Sequence, residues 1–430
     1  MGQIYPIMIS FRPNSFRPFA LGLAVFATAS ASELRQTGSR HWTLGTPIVT
    51  YWAGPPMTDA VAQQMAEGGW NTIWCNEKDL DVADRHGLRA ELHDGLISPE
   101  NLEQPAQREK LDALIARVRT HPALYSYFIT DEPNATNFPG LGKLVAYLHE
   151  RDPAHMAYIN LFPTYANNGQ LGIKGDKVTA YKKHLEEYIE IVRPQLISYD
   201  HYQFAVKGDT PDYFLNLSLV QRAAQEAKLP FLNIVQAATW SASMRVPTPD
   251  EMRYLVYTTM AYGAQGISYY VYSCGGHTGM IAHADGTPTV LYDALKTLNR
   301  EFVKISSELQ PYECKGVYHC GMLPPGTEPL PEDAVLHLEP PLPAMEYKPP
   351  QPVKGVLLSF FGPAPNKPKV SKPTHVIMVN LDYNAETSLK LAGSRKFELF
   401  DATTGTWSKT AAKTAELRLP PGGGKLARIR

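Results

Sequence analysis

Between Pro47 and Gln310 the sequence switches eight times between a short run of β-branched and aromatic residues and a longer stretch whose apolar residues recur about every 3.6 positions. The short runs are PIVTYW from Pro47, NTIWCN from Asn71, LRAELH from Leu88, LYSYFIT from Leu124, HMAYINLF from His155, LISYDHY from Leu196, PFLNIVQ from Pro230 and GISYYVY from Gly266. Between them, REKLDALIARVRTH ending at His121, KKHLEEYIEIVR before Pro194 and PDEMRYLVYTTMAYG from Pro249 carry their apolar residues at helical spacing. Proline or glycine punctuates the junctions, as at Asp152 and Pro153, Arg193 and Pro194, and Leu229 and Pro230. Alternating strands and helices predict a parallel sheet covered by helices. Eight such units predict an α/β fold of the (β/α)8 TIM barrel type, which uses roughly 250 residues as one domain. LYDALKTLNREFVKISSELQ from Leu291 supplies the eighth helix.

Beyond Gln310 the pattern changes. VLLSFFG, HVIMVNLD, KFELFDATTGTW and AELRLPPGGGKLARI read as hairpin strands separated by turn-forming Gly, Pro, Asn and Asp, which predicts a small C-terminal β-sandwich domain. The proline-heavy stretch from Leu323 to Pro352 is expected as a long surface loop within it. The 430 residues thus divide into a barrel over 47–311 and a β-sandwich over 312–430, preceded by a linker over 32–46 and a signal peptide over 1–31. The signal peptide is expected because Arg12 and Arg17 precede the apolar run from Phe19 to Ala31, which ends in Ala29, Ser30 and Ala31. No later stretch reaches the roughly 18 apolar residues of a membrane span. The expectation is a secreted or periplasmic protein with no span in the mature chain. In an oxidising compartment two of the four cysteines, Cys314 and Cys320, are near enough in sequence to bridge a hairpin, although nothing requires a disulfide. A formal net charge of −1 supplies no field for a polyanion, so nucleic acid is not an expected partner.

In such a barrel the reacting groups follow the C-terminal ends of the strands. After the fourth run come Asp131 and Glu132. Neighbouring carboxyls in a cleft raise one another's pKa, so one can remain protonated near neutrality and protonate a leaving oxygen. The alternative is that Asp131, Glu132 and Pro133 simply begin the next helix. In SYDHY, strand alternation puts Ser198, Asp200 and Tyr202 on one side and Tyr199 and His201 on the other. Asp200 is therefore a candidate second carboxyl, since glycoside hydrolysis needs a pair flanking the bond, or alternatively a structural acceptor of loop amides. The other strand ends offer Tyr51, Trp52, Trp74, Glu77, His93, Asn160, Gln236, Trp240, and Tyr270 with Tyr272, as substrate-binding candidates beside Tyr202. Aromatic faces, plentiful in a chain with 23 Tyr and 6 Trp, stack on sugar rings, while amides and carboxylates take hydroxyls. There is no Gly-rich phosphate loop, no HExxH, no GxSxG and no histidine spacing suited to a metal, which excludes kinase, zincin and α/β-hydrolase chemistry. No metal or cofactor is expected.

YFITDEPN, from Tyr127 to Asn134, resembles the strand-four segment of clan A glycoside hydrolases, whose acid/base Glu usually follows an Asn and often precedes a Pro. Here Asp131 stands in place of that Asn. RVPTPDEMRYLVYTTMAYGAQGISYYVYS, from Arg245 to Ser273, is similar to the seventh helix and eighth strand of barrels like the family 42 β-galactosidases. The resemblance implies a glycoside hydrolase with a carbohydrate substrate and Glu132 as proton donor. It also implies a nucleophilic Glu at the end of strand seven, yet FLNIVQAATW from Phe231 carries Gln236 there and no carboxylate. In the principal reading, Asp200 serves as the second carboxylate. In another, the substrate's own acetamido group attacks: Asp131 and Glu132 resemble the Asp-Glu pair of substrate-assisted hexosaminidases, and SYD followed by Tyr resembles the strand-six segment of chitinases. Asp131 would then orient the acetamido group and Tyr199 or Tyr202 would support the cyclised intermediate. In a third reading the barrel binds glycans without cleaving them.

Overall fold

A computed structural model describes residues 46–364 and 372–430. The expected signal peptide and all but the end of the linker lie outside the described residues. Eight parallel strands form the first sheet: β1 (Ile48–Trp52), β2 (Thr72–Cys75), β3 (Arg89–Leu92), β4 (Leu124–Asp131), β5 (Met156–Leu161), β6 (Ile197–His201), β7 (Phe231–Gln236) and β8 (Gly266–Tyr270). Their spatial order is β1, β8, β7, β6, β5, β4, β3, β2, the circular order of a TIM barrel. The seam between β1 and β2 is drawn together by Asn71, whose N–H donates to the Val49 carbonyl at 3.1 Å. Its side-chain oxygen accepts the Val49 N–H at 2.9 Å.

The helices alternate with these strands: α1 (Asp59–Glu67), α2 (Leu80–Arg85), α3 (Pro105–Val118), α4 (Phe138–Arg151), α5 (Lys177–Glu187), α6 (Tyr213–Ala227), α7 (Pro249–Ala261) and α8 (Val290–Leu309). Local chemistry sets their starts. In α7, the Thr248 side chain takes the Glu251 N–H while the Glu251 carboxylate takes the Thr248 N–H, a capping box, with Pro249 at the first helical position. The strands are buried on both faces. One face of the wall packs against the helices, whereas Ile48, Tyr125, Met156, Tyr158, Leu196, Leu232 and Ile234 form a second cluster inside the barrel. Burial on both sides is why the strand sequences read as near-continuous apolar runs.

The C-terminal domain is one mixed nine-stranded sheet curled into the expected β-sandwich. Its main strands are β9 (Glu313–Gly321), β10 (Gly355–Gly362), β11 (His375–Asn380), β12 (Thr387–Asp401), β13 (Ala412–Leu419) and β14 (Gly424–Ile429). Alternate residues divide between two cores. Val356, Leu358, Phe360, Val376 and Met378 pack within the domain. Leu357, Phe361, Ile377 and Val379 join the core that surrounds the barrel. The stretch from Leu323 to Pro352 carries only two short ladders, Glu328–Pro329 and Leu336–Leu338, as its proline content leads one to expect. The bridge considered for Cys314 and Cys320 is corrected: both thiols are free and lie on the same strand, β9. Six residues of extended chain separate them by roughly 20 Å, far beyond disulfide reach.

Candidate active site

Strand register assembles the polar cluster at the barrel mouth. An irregularity in β4 between Phe128 and Thr130 brings Asp131 opposite Asn160 of β5, and Asn160 in turn lies opposite Ser198 of β6. Alternation then places Asp200, two residues beyond Ser198, on the same inward side. Glu132 follows β4 with φ 45°, in the left-handed region, and its N–H is fixed by the Asn160 carbonyl at 2.8 Å. An L-residue there costs about 1–2 kcal/mol, and such strain gathers where a side chain must be aimed. Neither carboxyl caps the next helix. Asn134 caps the short 3-10 turn Ala135–Asn137 that leads into α4, its side-chain oxygen accepting the Thr136 N–H at 3.0 Å, which leaves Asp131 and Glu132 facing the mouth.

The Asn160 amide donates to Asp131 Oδ1 at 3.0 Å and to Asp200 Oδ1 at 3.0 Å. Its oxygen accepts from Ser198 Oγ at 2.9 Å, and Ser198 Oγ pairs with the Tyr158 hydroxyl at 2.8 Å. Glu132 and Asp200 lie close enough to perturb each other's titration, an interaction that lowers Glu132 and raises Asp200. Burial, then the charge of Asp131, lifts Glu132 to about 7. Asp131 is open to the cleft, but the surrounding protein mass excludes bulk water and raises it to about 6, against the lowering effect of the Asn160 bond. Asp200, 2% exposed, is pushed well above the usual carboxylate range by burial and by its two acidic neighbours. With burial and mutual repulsion dominating, the cluster keeps a proton near neutral pH. Among the described residues no group of three His, Cys, Asp or Glu has the arrangement of a metal site.

Aromatic rings flank this cluster. Tyr202, Trp240 and Tyr270 meet with centroids 4.8 to 5.0 Å apart, and the Tyr270 hydroxyl pairs with His277 Nε2 at 3.0 Å. On the next strand round, Trp52, paired in register with Tyr270, meets Trp74 at 5.0 Å, and His93 lies between Trp74 at 4.1 Å and Phe128 at 4.3 Å. His93 also reaches Glu91 Oε1 at 3.3 Å. The structure therefore brings together Asp131, Glu132, Asn160, Asp200 and Tyr202, with Trp240, Trp52, Trp74 and His93 as flanking rings.

Other expected residues lie elsewhere. Glu77 points away to a two-pronged ion pair with Arg117 of α3, at 2.6 and 2.9 Å. Tyr51 is buried in the wall, its hydroxyl accepting the Trp74 N–H at 3.2 Å. Tyr272 is buried because β8 stops at Tyr270, and its hydroxyl donates to Gln64 Oε1 at 2.7 Å. Tyr199 is likewise sealed in the helix-facing core. Gln236, 0% exposed, is a loop tie: its oxygen takes the Phe204 N–H at 2.8 Å and its nitrogen donates to the carbonyls of Phe204 and Arg245. Tyr270, offered with Tyr272 by the end of the eighth run, is the one of that pair that faces the mouth. The sequence reading missed Phe128 and His277, as well as Tyr165, whose half-exposed ring packs edge-on against His201 at 5.1 Å. Tyr165, in the loop after β5, had no usable signal.

No family model matches the sequence, and no curated protein matches it. Solved structures do match. A catalytic mutant of Gan42B, a GH42 beta-galactosidase from G. stearothermophilus, aligns with TM-score 0.53 and 10% identity over 90% of this chain and 98% of that one. The chain shares the barrel fold of that enzyme. A glycoside hydrolase family 5 protein from Bacteroides vulgatus aligns with TM-score 0.51 and 10% identity, over 89% of this chain and 88% of its own. The beta-galactosidase from the psychrophilic Marinomonas ef1 is matched over 61% of this chain and 60% of its own length, at 12% identity and TM-score 0.45. The first two alignments run through both the barrel and the C-terminal sheet.

Proposed function

We propose that this protein is an exported enzyme that hydrolyses glycosidic bonds of a carbohydrate, with Glu132 as its general acid. The observation that carries the reading is the Glu132 carboxyl, raised to about 7 by burial and by the neighbouring Asp131 charge at the C-terminal end of a barrel strand. An acid that holds its proton to neutrality can deliver it to the glycosidic oxygen as the C–O bond breaks. Asp200 is the second carboxylate, and the rings of Trp240, Tyr202 and Tyr270 offer stacking faces for the sugar. Export is proposed from the arginines and the apolar, small-residue run that ends at Ala31.

One observation favours the substrate-assisted variant of this reading. Enzymes that attack with water or with a carboxylate keep their two carboxyls about 6.5–9.5 Å or about 5 Å apart, on opposite sides of the sugar carbon. Here the strand-seven end, where such a partner would stand, carries the buried, loop-tying amide of Gln236 in place of a carboxylate. An attacking acetamido group needs no carboxylate opposite the acid. Asp131 or Asp200 would hold its N–H, and Tyr202 is the tyrosine at the mouth.

Glu132→Gln keeps the shape and removes the proton, so turnover of an unactivated glycoside is expected to fall ~10²-fold to ~10⁴-fold. Retained activity would refute the assignment. Parallel assays on 2-acetamido and plain glycosides, with a thiazoline inhibitor, separate the two variants: efficient cleavage of the plain sugars rules out substrate assistance. Glycan binding without release of reducing ends from any of them would indicate a recognition module.

A further inference from the structure

We infer that Asn160 is a positioning residue that orients Asp131 and Asp200 and favours their ionised forms beside Glu132, and is not a ligand for sugar hydroxyls. This rests on the reading of Glu132 as the acid. A side-chain amide has two N–H bonds to give, and here both are spent, one on each Oδ1, at 3.0 Å. Nothing remains for a substrate oxygen, and the residue is 2% exposed.

The orientation of the amide is enforced from behind. Its oxygen accepts from Ser198 Oγ at 2.9 Å. Ser198 has then used its only proton, so the Tyr158 hydroxyl, 2.8 Å away, must be the donor in that pair. Rotating the amide by half a turn would set its oxygen against two aspartate oxygens and forfeit both of those bonds. The chain Tyr158, Ser198, Asn160 therefore ends in two N–H groups aimed at acidic oxygens. A donor of this kind favours the ionised form of its acceptor. Asp131 and Asp200 are favoured as carboxylates, while Glu132 receives no bond from the side chain and is held only through its own backbone N–H on the Asn160 carbonyl, at 2.8 Å.

The test uses the whole ligand-free protein, labelled with carbon-13 at the Asp and Glu carboxyls, and compares wild type, Asn160→Leu and Ser198→Ala by NMR titration. Asn160→Leu should move the Asp131 and Asp200 titrations up by about one to two pH units, the scale of a hydrogen bond to a charged group. Ser198→Ala keeps the amide but frees it to turn, and should shift them in the same direction by less; it decides the matter if the leucine variant does not fold. On a cleaved glycoside, kcat should fall about tenfold or more with KM unchanged, the mark of an interaction made in the transition state. Unmoved titrations in both variants, or a raised KM with kcat intact, would overturn the inference. Shifted titrations in a protein that cleaves no glycoside would instead refute the glycosidase reading and leave the clamp standing.

Discussion

Glu132 and Asp131 are neighbours in sequence with different tasks, and their separate environments predict how activity depends on pH. Glu132 must carry a proton to act as acid, so kcat/KM is expected to fall as pH rises through about 7. In the substrate-assisted variant Asp131, lifted to about 6, must lose its proton to hold the acetamido N–H, so activity there also falls as pH drops through about 6. A kcat/KM profile flat from pH 5 to about pH 9 would contradict this assignment. The same shifts carry a stability consequence. Each folded-state value lies above that of the unfolded chain, so the folded form binds these protons more tightly. The stability this gives is present below about pH 4, where the unfolded carboxyls keep their protons too, and is lost as pH rises through about 6 to 7. Asp200→Asn, which removes the most deeply buried of the three charges, should therefore raise Tm at pH 8 and change it little at pH 4. A lower Tm at pH 8 would show that the carboxylate is better solvated than its burial implies.

Strand β7 shows why Gln236 is not a nucleophile awaiting one substitution. Its amide pairs with Phe204 in both directions and donates to the Arg245 carbonyl, which joins the loops after β6 and β7. Gln236→Glu would replace the donating nitrogen with an oxygen facing two carbonyls. The expected loss is about 1–3 kcal/mol, the cost of unsatisfied buried polar groups, read by urea unfolding, with no gain of a covalent glycosyl intermediate by mass spectrometry. Elements were easier to anticipate than such side chains. The eight runs were legible because parallel strands buried on both faces need continuous apolar sequence, and Asp200 and Tyr202 followed from alternation along β6. Side chains near strand ends depend on where each strand stops. Tyr272 was expected at the mouth, but β8 ends two residues earlier and the chain turns it into the wall. Glu77 begins a 3-10 turn beyond β2, which swings it toward α3. The irregularity in β4 that aligns Asp131 with Asn160 leaves no mark in composition.

At the scale of the whole molecule the barrel and the C-terminal sheet share one apolar interior. Leu357, Phe361, Ile377, Val379, Leu381 and Leu426 of the sheet belong to the same cluster as the strand and helix residues of the barrel, and α7 lies against β11. The sheet also reaches toward the mouth: the Tyr383 hydroxyl donates to Asp209 Oδ2 at 2.8 Å, and Asp209 pairs with Gln203 Nε2 at 3.0 Å, one residue beyond Tyr202. A chain ending at Gln310 would strip this cover and leave Asp209 without its tyrosine. Burying a side chain of this size stabilises by about 1.5–3 kcal/mol, so losing the six contacts removes on the order of 10 kcal/mol, comparable to the whole stability of a typical domain. The shortened chain is therefore expected to be aggregated or largely unfolded, by circular dichroism and analytical ultracentrifugation, rather than a free-standing barrel with weakened activity. If it were monomeric and melted cooperatively near the full-length Tm, the shared interior would be a contact surface between two independent folding units, and the C-terminal sheet would matter to the mouth only through Tyr383 and Asp209.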